Sequence, residues 1–317
     1  MLASAREVPV TVSSHSDLPT LDSPYPVTAD QIASFRRNGH IGLSAIAGPE
    51  EIAVFGPILQ EVALSQNRET RSLEDRDAYG RAFLQMINLW LVDARVQRFV
   101  FARRFARLAA ELLGTEGVRL YHDQALFKEA HGGPTPWHQD QYYWPLDTED
   151  TITLWMPLTP VPSEVGSMHF ASGSHRAGHL GDHAIGDESQ QVFSKLIPER
   201  GWPVETPGAL AAGDATFHHG WTLHSAGPNP TDAMRPAMTI IYFRDGARVS
   251  ALDHPARRMD HVMYLPECQE GGAAEGVFCP RLHPRDDDRL PAPPQRDAAY
   301  WQRVMGALRE AHPASDR

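Results

Sequence analysis

Thr135-Pro136-Trp137-His138-Gln139-Asp140-Gln141-Tyr142-Tyr143-Trp144 is the stretch from which the fold can be read. In a strand, residues i and i+2 point to the same face, so His138 and Asp140 are expected to present an imidazole and a carboxylate side by side. The pair alone is weak evidence. With 16 histidines in the chain, about one His-x-Asp match arises by chance. A second match, His15-Ser16-Asp17, lies near the N-terminus and is assigned nothing. The context of His138 is what separates the two. Short runs rich in β-branched and aromatic residues flank it on both sides, at Arg119–Phe127, Thr151–Leu158, Gly166–Phe170, Gly208–Phe217 and Ala237–Phe243. Gly and Pro punctuate these runs, as they do strands joined by turns. No helical pattern of the length a crossover needs alternates with them, so a parallel βαβ sheet is disfavoured. An antiparallel barrel or jelly roll is expected.

Two carboxy-terminal features complete a set with His138 and Asp140. The segment Gly213–Asn229 carries His218, His219 and His224. His218 and His219 are consecutive, so in a strand only one of them can face inward. Arg235 follows His224 and precedes the last strand-like run, where a guanidinium can hold a carboxylate bidentately. Two imidazoles and one carboxylate form a facial triad that leaves a metal open on its other side. With the arginine, these are the parts of a mononuclear iron oxygenase that uses an oxo-acid.

Upstream of the strands the periodicity is helical. Thr28 and Gln31 form a capping box ahead of Ile32 and Phe35, and Asn38-Gly39 ends that helix. His40–Leu43 reads as a short strand, and residues 49–66 as a helix with Pro49, Glu50 and Glu51 in its first turn. Residues 93–113 read as one long helix that Asp93 caps and Gly114 stops, with its arginines on a solvated face. Residues 1–26 read as an extended or mobile arm, 27–317 as a single domain, with a helical region at about 27–114 and a β core at about 117–245. Residues 245–295, including Asp286-Asp287-Asp288, read as loop-rich, and Ala298–Ala311 as a short amphipathic helix.

Composition bounds the function. The 317 residues suffice for a full hydrophobic core, and 42% hydrophobic with 22% charged residues is ordinary for a globular protein. A net charge of −11 disfavours nucleic acid and anionic membranes as partners. No run approaches the 18 apolar residues of a spanning helix, and the N-terminus lacks an apolar secretory core. The two cysteines, Cys268 and Cys279, form no metal spacing or disulfide framework, so free thiols and a cytoplasmic location are expected.

The ordered series Trp137-His138-Gln139-Asp140, Thr153-Leu154-Trp155-Met156-Pro157-Leu158, Gly166-Ser167-Met168, Gly173-Ser174-His175, Gly213-Asp214, Leu223-His224-Ser225 and Arg235 resembles the phytanoyl-CoA dioxygenase family of Fe(II)/2-oxoglutarate-dependent oxygenases. The resemblance spans about residues 27–245. It implies a double-stranded β-helix, a jelly-roll or cupin-like core that is mainly β with flanking helices. It implies His138, Asp140 and His224 as iron ligands and Arg235 as the grip on the distal carboxylate of 2-oxoglutarate. Trp155 falls on a strand that borders the cosubstrate in relatives, and Gln124 and Lys128 on the strand before the His-x-Asp pair are further candidates for that pocket. Gln139, Tyr142, Tyr143 and Trp144 are candidates for contact with substrate. Two positions depart from the family's pattern. His224-Ser225-Ala226 stands where relatives often have His-Gly-Ser, and Ser172 stands where a Pro often precedes Gly-Ser-His.

The implied chemistry consumes dioxygen and 2-oxoglutarate, releases succinate and CO2, and hydroxylates a C–H bond of a small organic molecule such as a secondary metabolite. A carboxylate at Asp140 favours hydroxylation over halogenation, since related halogenases carry a small residue there; desaturation, epoxidation and ring formation stay open. No CoA-binding signature is present, and the sequence carries no indication of oligomeric state. Two alternatives use the same residues: a zinc hydrolase or isomerase on a cupin-like barrel, which would not need Arg235, and a non-catalytic ligand-binding barrel.

Overall fold

The computed structural model describes residues 18–285 and 289–311. His15-Ser16-Asp17, most of the N-terminal arm and Asp286-Asp287-Asp288 lie outside the described residues.

Helix α1 (Ala29–Asn38) opens with the expected capping box: Gln31 N donates to Thr28 Oγ1 at 3.2 Å and Thr28 N to Gln31 Oε1 at 2.8 Å. It ends at Gly39, whose φ of 79° is the left-handed conformation that a glycine reaches without strain. Strand β1 (His40–Leu43), helix α2 (Pro49–Gln66), the short helix α3 (Ala78–Ala82) and strand β2 (Leu84–Ile87) follow. The expected long helix over 93–113 is two helices, α4 (Ala94–Val100) and α5 (Arg103–Leu113). Phe99, Val100, Phe101 and Ala102 are all buried. Four consecutive apolar residues cannot share one stripe of a straight helix, so the chain breaks at Phe101–Ala102 and redirects them. Nor are all of the arginines there on a solvated face. Arg104 bonds Glu51, Ile46 O and Ser23, tying the incoming chain to α5 and α2. Leu18 and Leu21 are buried in the main core, so residues 18–26 are anchored rather than a free arm.

The strand-like runs become β3 (Val118–Phe127), β4 (Thr135–His138), β5 (Thr151–Pro157), β6 (Met168–Ala171), β7 (Val204–Glu205), β8 (Ala215–His219), β9 (His224–Ala226), β10 (Ala237–Arg244) and β11 (Arg281–His283). The run at 208–217 is strand only in its second half. Between β6 and β7 lies helix α6 (Asp187–Glu199), which the expectation of no intervening helix missed. Its apolar residues Val192, Phe193, Leu196 and Ile197 do follow helical spacing, and Ser189 caps Gly186 N. Helices α7 (Pro255–Tyr264) and α8 (Ala298–Ala311) follow the last long strand, so the region read as loop-rich contains a helix.

Every strand pairing is antiparallel. A seven-stranded sheet runs β1-β8-β5-β10-β3-β11 with β2 on β3, and a four-stranded sheet runs β4-β9-β6-β7. This is the double-stranded β-helix. The alternation along each strand decides which residues face the space between the sheets. On β5, Ile152, Leu154 and Met156 join the core under the helices. Trp155 instead packs on Met168, Phe170 and Ala226 of the small sheet. Both faces of β5 are therefore covered, which is why all seven of its residues are buried. Among the described residues no helix is long and apolar enough to cross a membrane.

Candidate metal centre

The site forms where the ends of β4 and β9 meet. His138 pairs directly with His224 across the small sheet, and their ring centroids are 4.1 Å apart. Asp140 does not extend β4 as the strand argument assumed. It opens a 3-10 turn (Asp140–Tyr142), and that turn, rather than strand alternation, brings its carboxylate back beside the imidazole. Asp140 Oδ1 lies 3.5 Å from His138 Nε2 and 3.6 Å from His224 Nε2. Among the described residues this is the group that could hold a metal, with its three ligand atoms within 4.8 Å of one another.

The hydrogen bonds orient the rings. His138 Nδ1 donates to Pro136 O at 2.8 Å and His224 Nδ1 to Thr222 O at 2.9 Å. In the neutral rings, these bonds leave each Nε2 with its lone pair aimed at the carboxylate. Burial, then the neighbouring imidazoles of His138 and His218, push His224 well below its ordinary value, so it is neutral. Burial alone would raise Asp140, but His224, His138 and His218 hold its carboxyl well below the usual range. Two lone pairs facing an anion repel unless a cation lies between them. The donor set therefore fits a divalent ion, and a facial triad of this composition is the iron type.

Two groups that the sequence reading did not assign complete the carboxylate's surroundings. His218 Nε2 lies 3.1 Å from Asp140 Oδ2, and Thr153 donates to the same oxygen at 3.0 Å. Its partner in sequence, His219, turns away and accepts Trp221 N, as the opposed side chains of consecutive strand residues require. The signal for Thr153 was its place on β5, one pleat from Trp155.

Arg235 is 4% exposed and sits 5.0 Å above the Trp155 ring. Its Nη1 donates to Leu126 O at 3.3 Å, while its Nε is buried with no partner among the described residues. Burial lowers its guanidinium to about 10, which still leaves it charged. A buried cation without a counter-ion is costly, and a ligand carboxylate is the group that would relieve it. Thr216 Oγ1, opposite Trp155 on β8, and Ser167 Oγ are also buried without partners. Gly166 makes room, since a Cβ there would come within 3.2 Å of Arg235 Nε and 3.0 Å of Lys128 Cδ. The unpartnered donors Arg235 Nε, Thr216 Oγ1 and Ser167 Oγ could receive one carboxylate.

The remaining expectations fall as follows. Lys128 is fully buried and its Nζ donates to Ala82 O and Gly133 O; burial, then Arg235, lower it to about 7. Gln124 lies on β3 opposite Thr239, and its Oε1 accepts from Gln85. Gln139 donates to Gly178 O and Trp221 O and accepts from Leu180 N, so it holds two loops together. Tyr142 OH bonds His254 Nε2, Tyr143 OH accepts Ile185 N, and Trp144 packs on Tyr121 within a core cluster. Ser172, at the position of an expected Pro, bonds His40 Nε2 at 2.7 Å.

Comparison with known proteins agrees with this geometry. Residues 35–237 match the family model described as phytanoyl-CoA dioxygenase. The chain belongs to that family. A probable alpha-ketoglutarate-dependent hypophosphite dioxygenase of Stutzerimonas stutzeri is 26% identical over 226 residues, covering 68% of this chain and 78% of that protein. The epimerase SnoN of nogalamycin biosynthesis, solved with Fe3+, alpha ketoglutarate and nogalamycin RO, is 28% identical with a TM-score of 0.64, covering 80% of this chain and 98% of that one. The carbocyclase SnoK has a TM-score of 0.66 at 23% identity, covering 82% and 99%, and shows the shared fold. The chain is an oxygenase of the iron- and 2-oxoglutarate-dependent kind.

Proposed function

We propose that this protein hydroxylates a C–H bond of a small organic molecule, coupled to conversion of 2-oxoglutarate and dioxygen to succinate and CO2. The observation that carries the reading is the pairing of the His138–Asp140–His224 cluster with the buried guanidinium of Arg235, which has no counter-ion among the described residues. A zinc hydrolase on the same barrel would have no use for that cation. Iron bound at the triad would supply oxygen activation, the step that side chains cannot perform.

The residues of the chain do the rest. His138, Asp140 and His224 would hold iron and leave its far side open. Arg235 would anchor the distal carboxylate of 2-oxoglutarate, with Trp155, Thr216 and Ser167 around it. Asp140 retains its carboxylate, which occupies the position that halogenases free for chloride. Trp144 and the paired phenols of Tyr142 and Tyr143 wall the turn that carries Asp140 and limit access of water to it. The two buried, free thiols of Cys268 and Cys279 accord with a reducing compartment such as the cytoplasm.

The test is succinate release from 2-oxoglutarate under air by the iron-loaded protein, followed across a panel of small organic substrates. Turnover that requires iron and 2-oxoglutarate, with a product heavier by one oxygen atom, is the expected result. Activity with zinc in the absence of 2-oxoglutarate would overturn the proposal.

A further inference from the structure

The outer edge of β2 opens onto a cavity of about 610 Å³ that the triad and Arg235 do not explain. The end of α2, α3, β2 and the start of α8 enclose it, with Arg68, Tyr79, Gln85, Ile87, Arg296 and Trp301 in its wall. The volume suits a small-molecule site. Strand register ties this cavity to the space between the sheets. Residues directly paired on neighbouring strands share a face. Gln85 pairs with Leu126 and Ile87 with Gln124, so all four point the same way. That way is inward, because Leu126 packs on the cluster of Trp155, Met168 and Phe170. Gln124, Thr239, Trp155 and Thr216 then form one row across β3, β10, β5 and β8. Gln85 Nε2 donates to Gln124 Oε1 at 2.5 Å, and Arg235 Nη1 reaches the carbonyl of Leu126, the partner of Gln85. Thr153, which bonds Asp140, stands two residues from Trp155 on the same face of β5. Gln124 and Thr153 are two strands and two residues apart, so about 12 Å separates their backbones. The cavity is the outward continuation of the space that holds the triad.

Its charges are uneven. Glu69 is taken by Arg71 and Arg76, and Asp77 Oδ1 accepts Gly80 N at the start of α3. Arg68 donates to backbone carbonyls, Arg296 lies over the Trp301 ring with its Cζ 5.4 Å from the ring centre, and neither has a carboxylate partner among the described residues. A guanidinium resting on a ring keeps its fork of N–H groups free for an oxyanion. Trp301 is 47% exposed and Val92, also in the wall, 40%, which leaves apolar surface for a flat ligand body to cover. A neutral hydroxyl would gain a weaker bond there, and an ammonium group would face two unpaired cations.

We infer that this cavity receives the substrate and that the substrate is an organic acid with a flat apolar body, its anion on Arg296 and its body on Trp301. This rests on the oxygenase reading above and adds the class of substrate to it.

The test uses the full-length protein loaded with Fe(II) and 2-oxoglutarate under argon, with binding of both measured first. 1-Naphthoate, 1-naphthyl phosphate and the neutral 1-naphthalenemethanol are then titrated by calorimetry. The wild type is expected to prefer one of the acids over the alcohol by about 10-fold or more, as a charge-assisted hydrogen bond allows, and the better acid tells carboxylate from phosphate. In Arg296→Gln the preference is expected to vanish. Trp301→Leu is expected to weaken all three probes by about 5-fold. Both side chains are at least partly exposed, and retained binding of 2-oxoglutarate shows that each variant is folded. The visible charge-transfer band of the Fe(II)–2-oxoglutarate complex is recorded in the same titrations and is expected to shift as the acid binds. A band unmoved at saturation places the probe away from the metal and overturns the substrate assignment. No binding of any probe, equal affinities in the wild type, a preference that survives in Arg296→Gln, or affinities unchanged in Trp301→Leu overturns the inference and leaves the oxygenase reading intact. An acid that binds only by displacing 2-oxoglutarate from Arg235 does the same. Failure of the wild type to bind iron and 2-oxoglutarate takes down both.

Discussion

Arg235 and His218 act on the same cavity from opposite ends, and their substitutions should be distinguishable. Arg235 is charged, buried and without a counter-ion, so its value is realised only when an anion binds. Arg235→Gln should raise the apparent KM for 2-oxoglutarate by about 100-fold, the order expected when one partner of a buried charge pair is removed. Iron affinity should hardly change. A titration of each ligand separately checks this, and an unchanged KM would show that the guanidinium does not touch the cosubstrate. His218 does the reverse. Its Nδ1 is buried without a partner, which makes Nε2 the nitrogen that carries the proton and donates to Asp140 Oδ2. With Thr153 it fixes the carboxylate so that Oδ1 faces the two ligand imidazoles. His218→Phe should weaken metal binding by roughly 10- to 100-fold, as loss of an outer hydrogen bond to a ligand does elsewhere, with the KM for 2-oxoglutarate unaffected. Competition with a chelator of known affinity would measure it. The His138–Asp140–His224 cluster was legible in the sequence because its members stand in an ordered series. His218 was not, since nothing in a His-His pair says which ring turns inward until the register of β8 against β5 is known.

At the level of elements, α1 reaches the metal centre through its end. Gly39 O accepts Thr222 Oγ1 and His219 N, each at 2.8 Å, and Thr222 O in turn holds the His224 ring. A Cβ at Gly39 would collide with the His175 ring and come within 2.6 Å of Thr222 Oγ1, at a φ that a side chain rarely adopts. Gly39→Ala should therefore destabilise the fold by about 2 kcal/mol or more. It should also weaken metal affinity, because the segment carrying His224 must shift to relieve the clash. Thermal unfolding and metal titration of the variant would show both losses; a loss of stability with unchanged metal affinity would separate α1 from the site. The capping box and the glycine stop of α1 could be read because both signals are local. The break between α4 and α5 could not, because it answers to burial of four consecutive residues against a core that exists only in the folded chain. The strand premise for Asp140 erred for a related reason. A strand and a 3-10 turn can each bring residues i and i+2 together, and only packing of Tyr142 on His254 at the start of α7 shows which one is present. Helix α6 was obscured by its polar residues and Pro198, although Pro198 falls in the last turn, where it does little harm.

Across the whole molecule, the burial of neutral histidines ties stability to pH. His40, His122 and His219 are held below the ordinary value by burial, to about 4, about 4 and about 3. For His40, the carboxylate of Glu205 opposes this and the rings of His218 and His175 add to it; for His219 the rings of His175 and His218 add to it. In the unfolded chain all three titrate near 6.5. The folded state therefore binds fewer protons than the unfolded state between about pH 6.5 and the folded values. Above that window their neutral burial carries no penalty. As pH falls through it, each of the three costs about 1.4 kcal/mol per pH unit once the unfolded group is protonated. These three histidines should thus cost several kcal/mol between about pH 6.5 and 4.5, while the buried carboxyls of Asp123 and Asp260, which burial raises to about 7 and about 8, take up protons in the folded state first and offset part of that loss over the same range. Denaturant titrations of the metal-free protein at a series of pH values would measure the slope, and metal-free conditions keep the ligand histidines from adding a term of their own through competition with the ion. His219→Gln removes one titrating group while keeping an acceptor for Trp221 N, so it should lessen the loss by about 1.4 kcal/mol per pH unit over the same range. A slope identical to that of the wild type would mean that His219 is protonated in the folded state as readily as in water, contrary to its packing against His175.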